Sequence, residues 1–181
     1  MRRTLTALVL AAAAALTLAG CASGESTVGA GPTHAVAVSP SPTVTSAADC
    51  TGVFVIVQFG LLGAHDVNAC APASAPITAA AALKAVGVTT EGTQQYGDQV
   101  VCRVNGEPSA SKPIDVPGQP PYTEKCAGMP AAFAYWAVWV RDSAAGQWDY
   151  AQSGITTEQL KPGQTLGVKF TTGSDTTPPQ G

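Results

Sequence analysis

Five cysteines, one adjacent His-Asp pair and a run of indole and phenol rings are the side chains of this 181-residue chain whose types and spacing could do chemistry. His65 and Asp66 are neighbours, so in a strand they point to opposite faces and in a loop they diverge. A catalytic triad needs a third, activated group, and the sequence holds no Gly-x-Ser-x-Gly or comparable nucleophile setting. The carboxylates Asp98, Glu107, Asp115, Glu124, Asp142 and Asp149 mostly stand beside Gly, Pro or Lys in turn-like stretches, where a solvated acid is the ordinary outcome. Paired-carboxylate glycoside hydrolysis requires a pairing in space that these spacings do not specify. The expectation is a protein that is not an enzyme. The rings are concentrated: Trp136, Trp139 and Trp148, all the tryptophans, fall within sixteen residues together with Tyr135 and Tyr150, two of the four tyrosines.

The first cysteine belongs to a different chemistry. Met1-Arg-Arg is a positive start, and residues 5–18 form an uncharged apolar run shorter than the ~20 residues of a membrane-spanning helix. The run ends Leu18-Ala19-Gly20-Cys21, which resembles the bacterial lipoprotein signal at every position. The resemblance implies removal of residues 1–20 as a signal peptide and lipid on the sulfur and amino group of Cys21. Two or more acyl chains give an anchoring that one chain cannot. The expected location is the extracytoplasmic face of the bacterial cell membrane. Losing Arg2 and Arg3 lowers Lys+Arg from 9 to 7 against 12 Asp+Glu, so the net charge moves from -3 to -5. Such a balance offers no basic patch for nucleic acid.

The remaining chemistry must be held by the exported body. Residues 22–48 are mostly Ser, Thr, Ala, Gly and Pro with four valines, Glu25 as the one charge and no Phe, Tyr or Trp; they cannot bury enough apolar surface to offset chain entropy. Residues 21–48 are therefore expected to be a lipid-anchored disordered linker in which His34 is inert, and residues 172–181, of similar composition, a disordered tail. That leaves residues 49–171 as one small domain. Residues 52–59 are nearly apolar on both faces, Val53, Val55, Val57 and Phe59 alternating with Phe54, Ile56 and Gln58, as in a strand buried on both faces. Residues 76–86 switch to alanine-rich helical chemistry, with a stripe of Ala79, Ala82, Leu83 and Val86, Pro76 near the start and Gly87 at the stop. Residues 98–104, closed by Asn105-Gly106, and residues 163–170 read as further strands. Cys50, Cys70, Cys102 and Cys126 are even in number in an oxidising compartment, which implies two disulfides with three possible pairings. Cys50 with Cys70 and Cys102 with Cys126 is the favoured pairing, because each pair brackets an irregular loop and leaves the helix unconstrained. The spacings contain no Cys-x2-Cys, which argues against zinc. The second bridge would pin the proline-rich stretch 106–122, bringing Tyr122 towards the rings.

Those rings sit on a predicted hairpin. Residues 133–141 and 147–150 flank the turn-like Asp142-Ser-Ala-Ala-Gly146. A period of two puts Phe133, Tyr135, Ala137, Trp139 and Arg141 on one face and Ala134, Trp136, Val138 and Val140 on the other. Both faces are apolar. Either one is core and the other covers a neighbour, or some rings line a groove.

The motifs 52–60, 82–87, Gly92-Thr-x-x-Tyr96-Gly97, 101–108, Cys126, Tyr135-Trp-Ala-Val-Trp139 and Gly146-Gln-Trp-Asp-Tyr150 together resemble the small exported bacterial domain similar to the C-terminal β domain of transcobalamin and intrinsic factor. The resemblance covers nearly all of residues 49–170. It implies an α+β, β-grasp-like mixed sheet with one main helix, and capture of an apolar small ligand, a corrinoid in those carriers, rather than catalysis. It places Tyr135, Trp136, Trp139, Trp148 and Tyr150 at the ligand. No counterpart of the carriers' helical-repeat domain is legible in this sequence, so a corrinoid would meet one wall here and need a partner protein, such as an envelope transporter component, for the other. Val168 also stands where the pattern calls for an aromatic. Gly97-Asp-Gln-Val-Val-Cys102 resembles in addition the secreted subtilisin-inhibitor type of protease inhibitor, whose reactive loop would be 107–122. A purely structural envelope interaction domain would use the same aromatic surface.

Overall fold

Strand and helix propensities sort the chain into a mixed sheet with one helix. The computed structural model describes residues 46–173 and 175–181; the expected signal peptide, the expected lipidation site Cys21 and the expected linker up to residue 45 lie outside them. In chain order the elements are β1 (Val53–Gln58), β2 (Val67–Ala71), β3 (Ile77–Thr78), α1 (Ala79–Ala85), β4 (Thr90–Thr93), β5 (Gly97–Val104), β6 (Ala134–Arg141), β7 (Asp149–Tyr150), β8 (Gln159–Leu160) and β9 (Thr165–Thr172). Five strands form one sheet in the order β2-β1-β9-β6-β7, with β1 and β9 parallel and the other neighbours antiparallel. β3 pairs with β8 and β4 with β5 in two small sheets beside it. Among the described residues no helix is long and apolar enough to cross a membrane.

The period of two assigns the faces of β6 as read from the sequence. Trp136, Val138 and Val140 pair with Phe170, Val168 and Leu166 of β9, and these side chains join Val53, Val55, Val57 and Phe59 in the main core. α1 lays Ala79, Ala82 and Leu83 on that face. Burying one leucine such as Leu83 stabilises by about 1.5–3 kcal/mol. The helix is shorter than the alanine-rich run. Ile77 and Thr78 are held extended by pairing with Leu160 and Gln159, and the Thr78 hydroxyl caps the helix by accepting from the Ala81 N–H at 3.1 Å. Gly87 leaves the helix at φ +78°, a conformation that favours glycine.

The opposite face carries a smaller cluster of Cys50, Phe54 and Ile56, with Ala47, Cys70 and Trp148 against it. The body begins earlier than expected: Ser46 caps a short turn over Ala47–Asp49, and Ala47 packs on this cluster. It also ends later. Residues 172–181, expected to be a disordered tail, include the last residue of β9, and residues 175–181 lie on the sheet with Pro179 buried. Their polar groups are bonded to Gln58, Arg141 and Lys169, contacts that composition does not announce.

Two disulfides join Cys50 to Cys70 and Cys102 to Cys126, across 20 and 24 residues of chain. On the loop-entropy model each contributes roughly 3 kcal/mol. The second closes the proline-rich stretch, whose Ile114 and Val116 are buried and whose Ile114 bridges to Tyr122. Buried Arg103 holds that stretch from inside: Nε donates to the Pro108 carbonyl, Nη2 to the Glu124 carbonyl and Nη1 to the Glu91 carboxylate, at 2.7–2.9 Å. Glu124 in turn accepts from the Tyr122 hydroxyl and the Cys126 N–H. Burial first, then Glu124, pushes the Tyr122 phenol up to about 12. The loop is thus packed against the body through Ile114 and Val116, with 110–113 and 117–121 exposed on either side.

Candidate functional site

The aromatic hairpin is shorter than its composition implies, and the shortfall makes a cleft. β7 pairs with β6 at Trp139↔Tyr150 and Val140↔Asp149 alone, and Ala151 N–H then donates to the Val138 carbonyl at 2.9 Å. Beyond that bond the chain leaves β6 and lies against β5. Gly154 is needed there, since a Cβ would come within 2.5 Å of the Gln99 carbonyl oxygen. Among the described residues, the edge of β6 from Ala134 to Val138 that faces away from β9 therefore has no strand beside it in the sheet. A cleft of about 530 Å³ runs along this edge, between β5 and the loop 129–132.

Its walls are Val101, Met129, Pro130, Tyr135, Trp136, Tyr150 and Ile155, with Gln99 and Ser153 as polar contributors; none of the described lining residues is charged. The volume lies in the range of small-molecule sites, which are mostly apolar with few polar groups. The rim is apolar and exposed: Met129 is 67% and Tyr150 41% accessible, two of the few large apolar side chains left in solvent. Trp136 is fixed edge-on between Phe59 and Phe170, centroids at 5.2 and 5.3 Å, and its Nε1 donates to the Glu107 carbonyl at 3.2 Å. The Tyr150 phenol is held above its ordinary pKa by burial, then by the adjacent Tyr135 hydroxyl. The Tyr150 phenol therefore stays a neutral donor at physiological pH.

Five residues were expected at the ligand, and the structure divides them. Tyr135, Trp136 and Tyr150 line the cleft. Trp139 does not: it is 6% accessible on the far face of β6 and stacks behind Tyr150, centroids 3.7 Å apart at 25°. Trp148 lies outside β7, over Gly167 and 4.6 Å from the Arg141 guanidinium. Alternation puts Trp139 on the face of Tyr135, opposite Trp136, and what keeps it from the cleft is its place in the ladder across from Tyr150, where β7 covers the β6 edge. The sequence reading missed Val101, Met129, Pro130 and Ile155, which come from three separate segments and carry no common period; Gly154, placed for a close backbone approach, was the one available cue.

The other candidate chemistry is structural here. Asp66 accepts from the Phe59 N–H at 2.8 Å and ties the loop after β1. Cys102, Glu124 and Cys126 lie close together, but both sulfurs are joined in the disulfide.

Comparison of the chain with family models, with curated proteins and with solved structures finds no match to any of them.

Proposed function

We propose that this chain is a lipid-anchored binding domain of the bacterial cell envelope that holds a neutral, apolar small ligand in the cleft along the free edge of β6. The observation that carries the reading is the cleft itself: an uncharged wall, a fixed indole at Trp136 and two exposed apolar side chains, Met129 and Tyr150, at its mouth. Export and anchoring at Cys21 rest on the leader sequence, and the two disulfides agree with an oxidising compartment. The sheet order, with its parallel central pair and a helix after the first hairpin, supports a β-grasp-like reading of the fold. A neutral ligand matches the site because a buried charge would find no counter-ion there.

The test is a titration of the exported chain, disulfides intact, with Nile red as an uncharged apolar probe and with cobalamin, cobinamide and haem under inner-filter control. Saturable binding of Nile red or of neutral cobalamin is expected, weakened about tenfold in Tyr150→Ala, which removes roughly 1–2 kcal/mol of apolar contact, and unchanged in Trp148→Ala, while charged haem and cobinamide are expected not to bind. No saturable binding by any probe, or equal binding by Tyr150→Ala and the parent, overturns the reading.

A further inference from the structure

The face of the sheet turned away from α1 carries a second arrangement with the marks of recognition. Residues 175–181, Asp-Thr-Thr-Pro-Pro-Gln-Gly, have no apolar side chains beyond two prolines, yet they run along this face with Pro179 buried. The seat of Pro179 is made by an absence: at Gly167 a Cβ would stand 2.6 Å from Pro179 Cγ and 2.9 Å from Trp148 Cζ3. A prolyl ring placed against an indole over a glycine is how grooves take up extended proline-containing segments.

The neighbouring contacts read main chain. Gln180 N–H donates to Gln58 Oε1 at 3.0 Å, and Gln58 Nε2 donates back to the Gln180 carbonyl at 3.2 Å. That amide clamp binds a backbone whatever its side chain. Arg141 Nη2 donates to the Gly181 carbonyl at 3.0 Å. At the other end Lys169 Nζ meets the Thr177 carbonyl at 3.1 Å and the Asp175 carboxylate at 2.9 Å. A cation for an acid, a slot for proline and a clamp for the following peptide unit are therefore spaced along one extended path.

We infer that this face is a binding groove for an extended peptide with an acid four residues before a proline, and that residues 175–181 are its resident occupant in cis. The inference stands apart from the cleft and its ligand. Because the groove grips mostly through side chains on the sheet, the same segment supplied in trans by a second copy of this chain meets the same groups once the resident leaves.

The experiment is a chain ending at Gly173, disulfides intact, titrated with the synthetic peptide Ser-Asp-Thr-Thr-Pro-Pro-Gln-Gly by calorimetry and Trp emission. The shortened chain is expected to bind one peptide saturably, the full chain at least tenfold more weakly, and the shortened Gln58→Ala chain about tenfold more weakly than its parent, since two hydrogen bonds are lost. A folded shortened chain that does not bind, or equal binding by the full chain, overturns the inference. Should the shortened chain not fold, amide exchange at Gln180 in the full chain decides. Protection that falls about tenfold in Gln58→Ala supports the groove, whereas exchange at the rate of the free peptide, or no change in Gln58→Ala, overturns it.

Discussion

The two faces of the five-stranded sheet are both apolar and are covered in opposite ways. One is closed by α1, Phe59, Ile155 and Leu160, whose side chains interlock with Val53, Val55, Val57, Leu166, Val168 and Phe170. The other is closed by a disulfide, the indoles of Trp139 and Trp148 and a segment with one buried proline. On the first face the cover is a permanent part of the core, because its removal would expose many large aliphatic groups at once. On the second the cover is attached by a handful of hydrogen bonds to long polar side chains, each worth about 1 kcal/mol net. The same sheet thus has one face built for stability and one face whose cover is replaceable.

The strongest way to break this comparison is to damage the two faces in turn. Phe59→Ala, at a fully buried ring packed edge-on against Trp136, is expected to lower unfolding stability by about 3–5 kcal/mol in urea titration; a cost below about 1.5 kcal/mol would make the two faces equivalent. Gly167→Ala places a methyl where Pro179 and Trp148 already lie and is expected to cost about 1–3 kcal/mol. Its signature is loss of amide protection confined to residues 175–181, and a change reaching β1 and β9 would count against a separable cover. The smallest effect comes from acid. Hydrogen bonds from Thr177 and then Lys169 pull the Asp175 carboxyl down to about 2. Because this folded-state pKa is depressed, the stabilisation is complete above about pH 4 and is lost as pH falls through 2. The cover should loosen in that window, seen as faster exchange at Thr177, while the core face keeps its protection. Loosening at pH 5–6 would assign the change to another group.

Much of this arrangement was legible as pattern and little of it as contact. The unbroken apolar run of β1, the alternation of β6 and the even cysteine count each report a local rule, and each predicted its element, its faces or the favoured pairing. Trp139 and Trp148 show where pattern stops: an indole is equally consistent with a groove and with a core, and the register against β9 decides which one it meets. The cleft needed Met129, Val101 and Ile155 to converge from three segments. Residues 175–181 were read as disordered because proline, threonine and glycine signal no core; that reading weighs what a segment can bury by itself and leaves out the surface it is offered.

Arg103 shows a further property of the proline-rich loop. One guanidinium, buried beneath the loop, gathers two carbonyls and a carboxylate, the role that a bound calcium plays in many exported loops. Here the cation is tethered by a side chain, so its local concentration is set by covalent geometry and not by the medium. The loop's shape is therefore expected to be indifferent to dilution and to chelators.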